Sequence, residues 1–99
     1  MGFALELDRG TESRDQLAEK LERYGLIASG PDAPEAVLFC FTTAEREQSA
    51  RKVLGHPGVS VATTSLERHR ADPLGTVWRP VGVDRRVRIG DLSSESTGD

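Results

Sequence analysis

The chain has 99 residues, 36% hydrophobic, 5% aromatic and 29% charged, with one cysteine and a formal net charge of −3. A chain this short forms one domain around one core and buries roughly two thirds of its unfolded surface, so its stability is marginal and a partner surface is expected. No run approaches the roughly 18 apolar residues of a membrane helix, the start MGFALELD lacks a basic segment leading into a long apolar one, and a lone cysteine closes no internal disulfide, so the expectation is a cytoplasmic protein without a membrane span.

The alternation over Phe3–Asp8 puts Phe3, Leu5 and Leu7 on one face and Ala4, Glu6 and Asp8 on the other, which is strand periodicity. A turn at Arg9-Gly10-Thr11-Glu12 follows, and Ser13 with Gln16 three residues on is a capping-box signature that opens a helix carrying Leu17, Leu21 and Tyr24. Gly25 is a natural stop, with residues 26–28 able to add a further turn. The loop GPDAPE, residues 30–35, leads into the continuous apolar run Ala36–Phe41, which reads as a strand buried on both faces.

Thr42 with Glu45 predicts the cap of a second helix whose apolar side includes Ala50, Val53 and Leu54, ended by Gly55 and Pro57. Residues 59–63 predict a third strand and residues 65–71 a helical turn before Pro73. Strands joined through helices in this rhythm imply parallel pairing, giving an α/β fold with a β-α-β-α-β parallel core. Residues 76–89 contain TVWRP and RRVRI around the turn-rich VGVD, which predicts two edge strands or a hairpin, with Pro80 confined to an edge or an end. The domain therefore spans residues 1–92, and the small, acidic residues 93–99 are expected to be disordered.

Charge is divided along the chain. Residues 1–35 hold 8 acidic and 4 basic side chains, residues 36–90 hold 5 and 9, and residues 91–99 hold 3 and none. A basic face binds phosphates whatever the total charge, because screening limits each patch to about 8–10 Å; a mixed, solvated surface explains the same numbers.

Glu6 and Asp8 leave the same strand face, and Glu12 returns near them at the start of the helix. Magnesium or manganese is held by one to three such oxygens, with water and substrate phosphate completing the shell, and the carboxyl ends of parallel strands are where ligands bind. The alternatives are a salt bridge to an arginine, a solvated strand face, or, for Glu12 and Asp15, a favourable place at the positive end of the helix dipole. His56 and His69 lack ligand spacing, Ser13 lacks a nucleophile elbow, and Cys40 sits in AVLFCF as core filling. Arg79, Arg85, Arg86 and Arg88 lie near Trp78, an arrangement that grips a phosphate backbone; the alternative is that Val87 and Ile89 face the core while Arg86 and Arg88 point to water.

ELDRGTES, the helix with Leu17, Lys20, Leu21 and Tyr24, the strand VLFCFTTAERE, and then VSVATTSLERHRADPLGTVWRPVG together resemble the C-terminal half of the actinobacterial replication-relaxation proteins over residues 3–92. That resemblance implies a place in plasmid replication and transfer, in a family that typically carries a winged-helix DNA-binding region ahead of this domain. The same segment is similar in layout to PD-(D/E)XK nucleases, which implies a truncated restriction-endonuclease-like fold. Glu6 then takes the glutamate position, Asp8 stands where the lysine belongs, and Lys20 on the following helix substitutes for it. The aspartate that such nucleases place on an earlier strand has no room before Phe3.

Two readings follow. The first is a DNA-associated module of a plasmid or mobile-element system that acts by binding or assembly, without self-sufficient catalysis. The second is a divalent-metal nuclease using Glu6, Asp8 and Lys20 for catalysis and Glu6, Asp8 and Glu12 for magnesium or manganese. The implied partners are DNA, a larger replication or transfer complex, or a second copy paired along the exposed edge of the first strand.

Overall fold

The structure is a computed structural model that describes residues 2–10, 12–27, 30–31, 33–55 and 59–92. Its elements are β1 (Phe3–Asp8), α1 (Arg14–Ile27), β2 (Ala36–Phe41), α2 (Ala44–Ala50), β3 (Val61–Ser65), α3 (Leu66–Ala71) and β4 (Arg79–Pro80). The sheet order is β1-β2-β3-β4. β1 and β3 both pair with β2 in parallel, with Leu5 opposite Leu38 and Phe39 opposite Thr63, while β4 runs antiparallel to β3. The sequence rhythm thus reads correctly as a parallel three-stranded core in a mixed α/β domain, to which the C-terminal segment adds a fourth, antiparallel strand.

Local chemistry sets most boundaries. Ser13 and Gln16 make the reciprocal capping box that opens α1, with the Gln16 amide donating to Ser13 Oγ at 3.1 Å and the Ser13 amide to Gln16 Oε1 at 2.8 Å. α1 runs through Gly25 to Ile27, so that glycine does not stop it. The cap of α2 is Thr43, whose side chain accepts from the Arg46 amide, and not Thr42. α2 is also shorter than the apolar spacing implies: Val53 and Leu54 lie beyond its end, although Leu54 is fully buried. β3 runs two residues later than expected, because Thr64 and Ser65 continue the ladder to Cys40 and Phe41. Ser65 closes that strand and caps α3.

The expected C-terminal hairpin is reduced to the short β4 and one antiparallel bridge, Trp78 with Val87, whose amides and carbonyls exchange bonds of 3.1 and 2.6 Å. Pro80 ends β4, where its missing N–H costs nothing. Residues 93–99 and His56 lie outside the described residues.

All six residues of β2 are buried, so its alternating side chains supply two cores. Val37, Phe39 and Phe41 pack with Leu17 and Leu21 of α1 and with Ala50, Leu54 and Val61. Ala36 and Leu38 pack on the opposite face with Ala62, Val77, Trp78, Val87 and Leu92. The helices α1 and α2 therefore cover one face, and the chain after α3 covers only the β2–β3 part of the other. β1 is left at the sheet edge with Leu5 67% and Leu7 52% exposed. None of the described helices is long and apolar enough to cross a membrane.

Candidate functional site

The strand periodicity that puts Ala4, Glu6 and Asp8 on one face of β1 turns them toward α1. Lys20 and Tyr24 are one helical turn apart, hence neighbours on the α1 surface, and both reach Glu6. Lys20 Nζ donates to Glu6 Oε1 at 3.0 Å and to Glu12 Oε1 at 3.0 Å, and the Tyr24 hydroxyl donates to Glu6 Oε2 at 2.5 Å. Burial and then the Glu6 carboxylate push the Tyr24 hydroxyl up to about 12, since ionising it would set a second negative charge against the first. Burial works to lower the Lys20 ammonium, but hydrogen bonds to Glu12 and Glu6 more than offset it, and its pKa is raised.

Asp8 is held differently. Its side chain is 1% exposed and faces Arg46, which bonds Asp8 Oδ2 through Nε and through a terminal nitrogen, each at 2.9 Å. Asp8 Oδ1 accepts from the Gly10 amide at 2.6 Å. Gly10 has φ +84°, a left-handed conformation that glycine adopts without strain, so the turn after β1 folds back onto the carboxylate. Arg46 also donates to the Glu12 carbonyl, tying the start of α2 to the loop before α1. A charge buried this deeply is tolerated only when paired and hydrogen-bonded, and the cap at Thr43 places Arg46 in the first turn of α2, over the end of β1.

The expected three-carboxylate patch is therefore split. Glu6 and Glu12 converge on Lys20, while Asp8 is committed to Arg46. Among the described residues no group of three or more His, Cys, Asp or Glu side chains is arranged to hold a metal ion. Both oxygens of Glu6 and both of Asp8 already accept from protein donors, so the arrangement as it stands does not fit magnesium or manganese. Lys20, carried over as a relocated nuclease lysine, does stand at Glu6 and Glu12.

The arginines divide in the same way. Arg86 turns inward and grips Glu47, itself 2% exposed, through bonds of 3.0 and 3.1 Å, and donates to the Val77 carbonyl at 2.9 Å. Arg79 pairs with Asp84 at 2.9 Å and donates to the Val83 carbonyl at 3.2 Å. Arg85 and Arg88 are exposed. The alternation reading placed Val87 correctly, at 3% exposure, but not Arg86 in water.

Sequence reasoning missed the network that Arg86 joins. Thr63 Oγ1 donates to Glu47 Oε2 at 2.6 Å and accepts from Arg51 at 2.8 Å, and Arg51 continues to the carbonyls of Arg79 and Pro80. Burial, followed by the neighbouring Arg79, lowers the Arg51 pKa. The signal was present: Glu47 is three residues before Ala50 and seven before Leu54, on the apolar stripe of α2, where an acidic residue calls for a buried counter-ion. Cys40 is buried, and burial and then Glu47 push its thiol up, away from nucleophilic character. Ser13 is accounted for as a helix cap. No protein-family model, no curated protein and no solved structure matches the chain.

Proposed function

We propose that the chain is a DNA-associated module of a plasmid or mobile-element replication or transfer system, acting in the cytoplasm by binding and assembly rather than by catalysis of its own. The observation that carries the non-catalytic part is the internal neutralisation of the acidic patch, by Lys20 at Glu6 and Glu12 and by Arg46 at Asp8. Carboxylates closed by their own cations tie β1 to α1 and α2 and leave no oxygens gathered for an ion. The DNA part draws on the resemblance to replication-relaxation proteins and on the basic excess of residues 36–90. A truncated restriction-endonuclease-like core and a homodimer paired along β1 belong to the same reading.

The test is anisotropy of a labelled DNA duplex titrated with the chain over a range of salt. Binding should weaken steeply with salt, and replacing Arg85 and Arg88 together with alanine should flatten the log–log slope by about 0.7–0.9 for each phosphate that is no longer neutralised. An unchanged affinity and slope in that variant removes the assigned interface, and no binding at low salt removes the reading.

The second reading, a divalent-metal nuclease, is favoured by one observation, the 3.0 Å approach of Lys20 to both Glu6 and Glu12. Magnesium or manganese would have to displace Lys20 or Arg46 from the carboxylates. Metal-dependent shifts confined to residues 6–12 in NMR spectra, with plasmid nicking lost in Glu6→Gln, would establish it over the first; silence at those residues disposes of it.

A further inference from the structure

Arg79 is held differently from Arg46 and Arg86. Those two arginines each close on a carboxylate that is almost wholly buried, Asp8 at 1% and Glu47 at 2% side-chain exposure, and each does so twice. Arg79 instead meets Asp84, whose side chain is fully exposed, through one bond from Nη2 to Oδ1 at 2.9 Å. Its own side chain is only 27% exposed, and its Nε donates to the Val83 carbonyl at 3.2 Å. That carbonyl is set by a turn in which the Val83 amide donates to the Pro80 carbonyl at 3.1 Å and Gly82 takes φ +89°. The backbone therefore positions the guanidinium, and Asp84 is a loose tether, because water solvates an exposed carboxylate nearly as well as the arginine does.

Arg79 also belongs to a network that carries more positive than negative charge. Arg51 donates to the carbonyls of Arg79 and Pro80 at 2.9 and 3.1 Å, and Thr63 joins it to Glu47, which Arg86 grips from the other side. Among the described residues Glu47 is the only buried acid that these three arginines meet. After burial itself, the largest influence on Arg51 is repulsion from Arg79, ahead of the attraction of Glu47. We propose that Arg79 anchors a phosphate site, in which a phosphate dianion displaces Asp84 and bonds both terminal nitrogens of Arg79, with the charge of Arg51 beside it. Asp84 is the internal stand-in that keeps the guanidinium aligned while the site is empty. A carboxylate ligand would bring only the single charge that Asp84 already supplies, whereas a phosphate offers two oxygens to the planar guanidinium fork and a second charge to the excess. The dianion comes either from free phosphate and small phosphorylated molecules or from the phosphorylated end of a nucleic-acid strand. The proposal does not rest on the DNA reading, whose interface is Arg85 and Arg88, and each can fail while the other stands.

The experiment follows the arginine Nε–H signals of the full chain by NMR at about pH 8, where phosphate carries close to two charges. Inorganic phosphate is titrated at constant ionic strength against chloride, and dimethyl phosphate, a diester with one charge, is the control. The Arg79 signal should shift and saturate with inorganic phosphate, at an affinity at least about five-fold above that for dimethyl phosphate. Asp84→Asn removes the competing carboxylate and should tighten phosphate binding by about two- to five-fold, the range expected for an exposed ion pair. Arg79→Gln should abolish binding, and Arg79→Lys, which keeps the charge but loses the fork, should weaken it. If Arg79→Gln fails to fold by circular dichroism, Asp84→Asn still decides, because Asp84 is exposed. Two DNA duplexes, with and without 5′-terminal phosphates, separate the sources: a shift from the phosphorylated duplex alone identifies a strand end, and silence with both identifies a small phosphate ligand. The proposal is overturned by an Arg79 signal that phosphate moves no further than chloride, by equal affinity for dimethyl phosphate, by equal shifts from the two duplexes, by Asp84→Asn binding no more tightly than the parent, or by a folded Arg79→Gln that still binds.

Discussion

Arg86 closes on Glu47 with two parallel hydrogen bonds of 3.0 and 3.1 Å across 39 positions of sequence. The pair joins the C-terminal segment to α2 beneath the sheet, and through Thr63 and Arg51 it extends to the carbonyls of β4. Two residue pairs between β4 and β3 and the Trp78–Val87 bridge make a weak strand pairing, so this ionic clasp, together with the burial of Val77, Trp78, Val87 and Leu92, holds the fourth strand in place.

Removing one member of a buried pair leaves the other charge uncompensated, at a cost of about 3–5 kcal/mol. Arg86→Met should therefore lower the urea midpoint sharply, a large loss for a domain whose whole stability is on the order of 5–15 kcal/mol. Glu47→Leu added to it should restore part of the loss, since apolar replacement of both partners removes the stranded charge. A single Arg86→Met variant as stable as the parent would show that the clasp contributes nothing.

Tyr24 is the only tyrosine, so alkaline absorbance titration reads it alone. It should ionise near 12 in the folded chain and at a lower pH in Glu6→Gln, where the adjacent negative charge is gone, while burial, the larger cause, still holds it above its ordinary value. Tyr24 and Lys20 both hold their protons more tightly folded than unfolded. Their contribution to stability is thus complete below pH 10 and lost as pH rises through about 12. Urea midpoints that stay level between pH 9.5 and 11.5 would contradict this linkage.

Thr64 Oγ1 is buried in β3 with no hydrogen-bond partner among the described residues. Valine matches threonine in shape and removes the unsatisfied hydroxyl, so Thr64→Val should stabilise the fold by about 1 kcal/mol. Thermal denaturation showing a lower midpoint for Thr64→Val would mean that the hydroxyl has a partner in solution.

Gly10→Ala tests the turn that satisfies Asp8. The left-handed φ of +84° costs an L-residue about 1–2 kcal/mol, although Thr42 Oγ1, at 3.7 Å from the added Cβ, leaves it room. Chemical denaturation should therefore show a loss of that size, arising from backbone strain and not from a clash, and no loss would mean that the turn relaxes.

The pattern of residues fixes much of this protein without reference to tertiary packing. Period-two alternation places β1 and its faces, the Ser13–Gln16 box starts α1, and an unbroken apolar run makes β2 a strand buried on both sides. These are short-range or periodic signals, and they read directly because backbone geometry imposes them. The partners of charged side chains do not read that way. Glu6, Asp8 and Glu12 look like one acidic patch along the chain, yet Lys20 lies 14 positions from Glu6 and Arg46 lies 38 from Asp8, so only the packing of α1 and α2 against the strand ends decides which cation each carboxylate meets. Arg86 alternates with Val87 and so looks destined for water, but burying Glu47 on the inner stripe of α2 demands a counter-ion, and the desolvation cost of leaving that charge alone outweighs the periodicity that points Arg86 outward.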